Sequence, residues 1–453
     1  MSLDRTRPPV SPPVEPFQFP EFEIASARGL DVYLLPRDTL PLVHLELALR
    51  YGADVEPPDR RGSATLTAAL LAEGTAHRTS QEVAAAFEAL GTEVRTNADW
   101  DGTYLETTLR SEHAATGADL LYELLAEATF PGEEVERLKR RRLADLRRRA
   151  SRPDFLASRE MLRALYPDHV YGESLLGSAD DIERLASEDV VARAGRLRAA
   201  PLTLLVTGRF DRDELLARAA HWDRPRVVAE TAAPPPQAVP EPERRRIVVV
   251  DRPQAQQTEL RVGHQGLPRV HADRIASQVL NCVLGGKFTS RLNLSLRERL
   301  GVTYGAWSRF SARRGRGPFV AGAAVETEAT GRAATEILAE LERLRADPVP
   351  ATELADAKSY LIGTFPYSLQ ALEGLAGRLE DLATHPDLPR ETYREWPGAV
   401  AAVDGGALIR TARAHLHPER ATVVAVGPAA VLEPQLSALA PVEVVAAADR
   451  QRP

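Results

Sequence analysis

The chain has 453 residues, too long for one ordinary domain, and 44% of them are hydrophobic, enough for sizeable cores. With 57 basic and 64 acidic residues the formal net charge is -7, which argues against nucleic acid as the main partner. The single cysteine, Cys282, excludes an intramolecular disulfide framework; it sits in the apolar run from Ile275 to Leu284 and reads as a buried structural thiol.

In chain order, residues 1–16 contain no apolar core of a secretory signal. No later stretch approaches the roughly 18 consecutive apolar residues of a membrane span, so no span is expected and the cytoplasm is the expected compartment. Val32 to Leu35 and Val43 to Tyr51 read as strands, Ser63 to Ala72 and Ser80 to Leu90 as helices. Thr79 and Glu82 have the spacing of a capping box for the second helix. Glu93 to Thr96 and Thr103 to Leu109 are strand-like, with Asn97, Asp99 and Gly102 marking a turn between them. Helical patterns then cover Ser111 to Ala128, Pro131 to Ala150 and Asp154 to Leu165, and Leu202 to Gly208 has the pattern of a buried strand.

A proline-rich stretch with Pro234, Pro235, Pro236, Pro240 and Pro242 reads as an extended linker. The segments on either side resemble each other. The strand closed by Gly208 matches Ala421 to Gly427, 219 residues on, and the same offset carries Pro131, Glu134 and Lys139 onto Pro350, Glu353 and Lys358. Leu34 to Arg37 aligns with Val249 to Arg252 at about the same offset. The expected organisation is an N-terminal domain over 1–225, a linker over 226–245 and a C-terminal domain over 246–453. The fold class is α+β: two homologous halves, each a largely antiparallel sheet covered on one face by helices.

Hydrolysis of a peptide by activated water needs about three protein metal ligands and a base, and neither His-x-x-Glu-His nor His-Glu-x-x-His occurs. Among the ten histidines only His415 and His417 form a close pair; it precedes Pro418 and reads as a solvated loop more readily than as a metal site. Gly285 to Phe288 resembles a phosphate loop only faintly, because Asn281 stands where its first glycine belongs and no Ser or Thr follows Lys287. The arginines between Arg137 and Arg152 spread around a helix with no interleaved aromatics and read as a solvated face partly paired with Glu133, Glu134 and Glu136. In Gly285 to Gly305, Leu292, Leu296 and Leu300 recur every four residues, the mark of a helix with one apolar face that Gly301 stops. Arg297 lies in its last turn and Tyr304 opens a strand-like run to Phe310. Taken by spacing alone, Arg297 caps a helix and Tyr304 packs.

Gly62 to Thr75, GSATLTAALLAEGT, resembles the metal-binding helix of the pitrilysin-like (inverzincin) zinc peptidases, which carry His-x-x-Glu-His within such a frame. Here Thr65 and Ala69 stand at the two histidine positions and Ala68 at that of the base. The family's third ligand, a Glu on a downstream helix, falls at Ala144 or the adjacent Asp145. Arg297, Gly301 and Tyr304 resemble the family's Arg/Tyr motif, and the likeness extends over nearly the whole chain. The family's Asn-Ala pair on the substrate edge strand is replaced by Arg95 and Thr96, and the long glycine-rich loop of the mitochondrial α-subunit has no counterpart beyond Gly285 and Gly286.

The resemblance implies a division of labour. This chain would hold no metal or cofactor and would not be an enzyme on its own. Its expected partner is a homologous zinc-bearing subunit, in a heterodimer enclosing unfolded peptides. Arg297 and Tyr304 would bind the substrate backbone and stabilise the tetrahedral intermediate in trans. The alternative is a structural, core-type subunit of a larger assembly with no role in proteolysis.

Overall fold

The computed structural model describes residues 17–223 and 239–446. Residues 1–16 and most of the expected linker, including Pro234 to Pro236, lie outside the described residues. The first half holds β1 (Glu23–Ala27), β2 (Leu30–Pro36), β3 (Leu42–Leu49), β4 (Arg95–Ala98), β5 (Thr103–Arg110) and β6 (Leu202–Gly208), in the spatial order β1-β2-β6-β3-β5-β4. The second holds β7 (Arg246–Asp251), β8 (Gln257–Gln265), β9 (Thr303–Phe310), β10 (Pro318–Glu326), β11 (Thr422–Gly427) and β12 (Val442–Ala446), in the order β12-β7-β11-β8-β10-β9. Five strands therefore repeat in the same places. Only the outer strand differs: β1 comes from the N-terminal side and runs antiparallel to β2, whereas β12 comes from the C-terminal side and runs parallel to β7. The remaining parallel pairs are β2 with β6 and β7 with β11; the other pairings are antiparallel.

Alternation along β3 shows how each sheet is covered. Val43, Leu45, Leu47 and Leu49 point to the helices of their own half, where they meet Leu66, Leu70, Phe87, Leu121 and Leu124. The opposite face is covered from the other half. The helix Leu372–Thr384 lies across β3 and β6, and the helix Pro153–Leu165 lies across β8 and β11. These two helices are 219 residues apart at both ends, so each half lends the same element to the other. Leu156, Ala157, Met161 and Leu165 bury against Val248, Val250, Val424 and Val426. Leu375 and Leu379 join a cluster with Leu35, Ala48 and Leu205. At about 2 kcal/mol per fully buried large aliphatic side chain, this exchange outweighs any single ion pair at the seam.

Polar contacts fix its register. Thr207 Oγ1 donates to Leu372 O (3.1 Å) and Tyr166 Oη to Arg316 O (2.9 Å). Asp101, in the β4–β5 turn, accepts the Arg314 backbone N–H at 3.0 Å and pairs with His385 at 3.3 Å.

The expected capping box at Thr79 and Glu82 is present. Three elements differ from the sequence reading. The strand before the Asp99–Gly102 turn is Arg95–Ala98 rather than Glu93 to Thr96, so Asn97 lies within it, opposite Tyr104. Ser111 to Ala128 is broken into a 3-10 turn, Ser111–His113, and a helix, Ala114–Glu127. The leucine-spaced segment is a π-helix, Asn293–Arg299, in which Leu300 N–H donates to Ser295 O, five residues back. Its physical cause lies outside the helix: Asn293 bonds both backbone groups of Ala306 in β9, at 2.8 and 2.9 Å, while Leu292 and Leu296 remain fully buried.

His385 gives the seam a pH dependence. Burial disfavours its imidazolium, but Asp101 and Asp381 outweigh that and raise its pKa to about 9. A group whose pKa is raised on folding contributes stability below its unfolded value, near 6.5, and loses it as pH climbs through 9. Denaturant titrations at fixed temperature should therefore show stability falling between pH 6.5 and 9, by a His385 contribution on the order of 3 kcal/mol. Asp101→Asn should flatten that part of the slope.

Candidate functional site

The helix Ser63–Leu70 begins where the sequence places it. Gly62 caps it at φ +84°, a left-handed conformation that glycine adopts without strain. A Cβ there would stand 2.6 Å from Leu176 O, so no larger residue fits. The helix start is held by Glu56, a residue that sequence reading missed. Its carboxylate accepts from Gly62 N (3.0 Å), Ala64 N (2.5 Å) and Ser63 Oγ (3.2 Å). Burial raises the Glu56 pKa, partly opposed by Arg193 and by these bonds. No local pattern marks Glu56, because the contact is made by the fold of the intervening loop.

Ala69 and Ala144 face each other across a cavity of about 600 Å³ between this helix and the helix Gly132–Ala150, which Leu66, Arg142 and Asp145 also line, and Thr65 lies beside it, bonded to Arg142. Ala68 points elsewhere, into a small cluster with Ala53, Ala64 and Ala98. None of these four side chains offers a metal ligand except the Thr65 hydroxyl, and that is engaged. Thr65 Oγ1 donates to Leu175 O (3.1 Å) and accepts from Arg142 (2.8 Å). Arg142 has no carboxylate within ion-pair distance among the described residues, and burial lowers its pKa. A guanidinium thus stands beside the frame where a peptidase of this pattern would hold a cation. Asp145 is committed to Arg148 and Arg149. The residues do not fit zinc, and no hydrolytic step runs through this half. The exposed arginines of the helix follow the solvated reading, with Arg137 on Glu134 and Arg148 on Asp145, whereas Lys139 is buried and donates to Leu185 O (2.7 Å).

Tyr304 lies on β9, which among the described residues pairs only with β10 and so forms an edge of the second sheet, and Arg297 lies in the π-helix just before it. The strand is bulged at Tyr304: Thr303 opposes Val325 and Ala306 opposes Ala323, so Tyr304 and Gly305 together face Ala324. Thr303 Oγ1 pins the bulge by donating to Ala324 O (2.6 Å) and accepting from Gly305 N (3.2 Å). A bulge re-aims its residues, and Tyr304 is 92% exposed with no hydrogen-bond partner for its hydroxyl among the described residues. The reading that Tyr304 merely packs is therefore excluded. Arg297 comes from the π-turn, a form that recurs at functional sites. Its guanidinium lies 4.3 Å over the exposed Phe288 ring and 3.4 Å from Glu298. It is one-third exposed, and Arg297 and Tyr304 do not bond to each other.

His415 and His417 do not share a site. His415 Nε2 lies 2.8 Å from Asp273 and its ring packs on His271, whereas the His417 ring packs on His264. Both are partly buried, so the segment is not a solvated loop. Cys282 is buried, as expected, and burial raises its thiol to about 11.

Two homologous α+β halves, one with its metal frame replaced and the other with an Arg/Tyr edge, define a non-catalytic relative of the zinc metallopeptidases. Residues 33–179 match the family model for insulinase (peptidase family M16), and residues 196–361 match that for the peptidase M16 inactive domain. The chain belongs to the pitrilysin-like M16 family as an inactive member. A Bacillus subtilis protein described as the uncharacterized zinc protease YmxG is 21% identical over 350 residues, 77% of this chain and 85% of that one. A Helicobacter pylori protein described as the non-peptidase homolog YmxG is 25% identical over 345 residues, 72% of this chain and 76% of that one. The crystal structure of a peptidase M16 inactive domain from Pseudomonas fluorescens superposes with a TM-score of 0.81 at 24% identity, over 90% of this chain and 98% of that one, which shows the shared fold. Among the described residues no helix is long and apolar enough to cross a membrane.

Two glycines test the frame. Gly62→Ala combines a strained φ with a backbone clash and should lower stability in urea titrations by more than about 2 kcal/mol. Gly301→Ala, at φ +66° but facing open space, should cost only about 1 kcal/mol.

Proposed function

We propose that this chain is the non-catalytic, substrate-binding subunit of a heterodimeric zinc metallopeptidase acting on unfolded peptides. The observation that carries the reading is the contrast between the halves. The first has Arg142 beside a frame without ligands, while the second has a bulge that holds Tyr304 out into solvent. An exposed phenol with no partner is poorly explained as a stabilising contact and well explained as a donor waiting for a ligand.

The partner is a homologous subunit carrying His-x-x-Glu-His and zinc. Facing it, the edge strand β9 offers unpaired backbone groups to an extended peptide, the geometry of strand addition. Arg297 supplies fixed N–H donors to a peptide carbonyl. Leaving Phe288 and Glu298 for such a carbonyl exchanges one set of weak surface contacts for charge-assisted bonds. Zinc held by the partner would supply the Lewis-acid chemistry, and Tyr304 would offer a phenolic O–H as hydrogen-bond donor to the substrate's carbonyl oxygen. Both chains would share a compartment, the cytoplasm being our expectation.

The test is turnover of a quenched peptide by the reconstituted pair. Arg297→Ala and Tyr304→Phe should each lower kcat/KM about a hundredfold, the usual loss of one oxyanion donor, with unchanged assembly by size-exclusion chromatography. Unchanged turnover would remove the catalytic role and leave the structural, core-type subunit as the reading.

A further inference from the structure

The face of β3 turned to the helix Leu372–Thr384 carries two ionisable side chains, His44 and Glu46, that are almost fully buried at 1% and 2% exposure. Glu106 on β5 stands directly opposite Glu46 in the register. His44 Nε2 lies 3.7 Å from Glu46 Oε2 and 3.7 Å from Glu106 Oε2, and the three ligand atoms all fall within 4.8 Å of one another. His44 Nε2 and Glu46 Oε1 have no hydrogen-bond partner, which is costly for atoms so buried. His44 Nδ1 is 2.9 Å from Thr108 Oγ1, which donates to Glu373 at 2.7 Å. A cleft of about 100 Å³, lined by His44, Arg95, Glu106, Thr108 and Glu373, reaches the cluster from solvent.

We infer that His44, Glu46 and Glu106 form a binding site for a divalent first-row transition ion at the seam between the halves, separate from the family's zinc frame. Three observations point there. First, an ion equidistant from the three atoms sits about 2.4 Å or less from each, a few tenths of an ångström from ordinary zinc–nitrogen and zinc–oxygen distances. Second, the hydroxyl of Thr108 faces Nδ1, so the ring has the outer partner that metal-binding histidines use to fix tautomer and orientation. With the proton on Nδ1, the Nε2 lone pair faces two carboxyl groups, an arrangement that a bound cation would satisfy.

Third, the duplicated half neutralises the same positions internally. Register alignment of β3 with β8 sets His44 and Glu46 against Glu259 and Arg261, and Glu106 against Gly322. Glu259 and Arg261 form an ion pair at 2.9 Å. Among the described residues of the first half, no Lys or Arg pairs with Glu46 or Glu106. Arg95 is beside the cleft but exposed and paired with Glu93. The bound ion would fasten β3 and β5, with the Thr108–Glu373 link carrying the restraint to the crossing helix.

Chelator-treated full-length chain, titrated separately with zinc chloride and manganese chloride by calorimetry, tests the site. One equivalent of at least one ion should bind with a micromolar or tighter Kd and raise the Tm. Glu106→Gln, at the partly exposed ligand, should stay folded by circular dichroism and weaken binding about a hundredfold or more. His44→Gln should do the same. His271→Ala removes a ligand from the other histidine–carboxylate cluster, with Asp273 and His415, and should change nothing. Binding of neither ion, binding indifferent to Glu106→Gln in the folded variant, or binding abolished by His271→Ala would each overturn the assignment.

Discussion

Neither sheet of this protein is buried by its own half alone. The helices Pro153–Leu165 and Leu372–Thr384 leave the halves that encode them and cover the opposite sheets, so the apolar faces of β8, β11, β3 and β6 depend on a reciprocal exchange. Either half separated from the other would expose one sheet face and one apolar helix stripe. The exchange ties together the two sites that matter. The frame helix Ser63–Leu70 sits behind the first sheet, and the Arg297–Tyr304 edge belongs to the second.

That mutual dependence lets the two halves diverge in chemistry while keeping one scaffold. The first half keeps the left-handed glycine and the carboxylate that start the frame helix, yet Arg142 stands beside the ligand positions. The second half keeps a π-turn and a bulge, two departures from regular geometry that present Arg297 and Tyr304 at an unpaired edge. Departures of this kind reduce local hydrogen bonding and are kept where they aim side chains. The inner faces diverged as well: an ion pair in β8 stands where β3 has a histidine and a glutamate.

Much of this was legible in the sequence, for reasons that can be named. The repeat at 219 residues and the strand patterns closed by Gly208 and Gly427 foretold two matching sheets, because buried strands must be apolar, and at Gly208 the chain leaves the strand at a positive φ that favours glycine. Of the ligand positions, Ala69 and Ala144 line one cavity, since the frame helix and its downstream neighbour pack against each other, while Thr65 reaches the second helix through Arg142. Other features were out of reach. Periodicity shows that the stripe of Leu375 and Leu379 is apolar, but not which half it covers. Leucines four apart do not distinguish an α-turn from the π-turn that Asn293 enforces by bonding Ala306. His44 and Glu46 read as polar positions of a strand facing water until a helix from the other half buries them.

The central claim is that Tyr304 meets a peptide held at a partner's zinc, and contact is the most direct evidence for it. A photo-reactive phenylalanine analogue at position 304 can be irradiated in the assembled pair, with the partner's catalytic glutamate replaced to hold substrate uncleaved. The account predicts a covalent adduct between this chain and the peptide, lost when zinc-site binding is blocked by a competing peptide. Adducts confined to the two protein chains, or none at all, would contradict it.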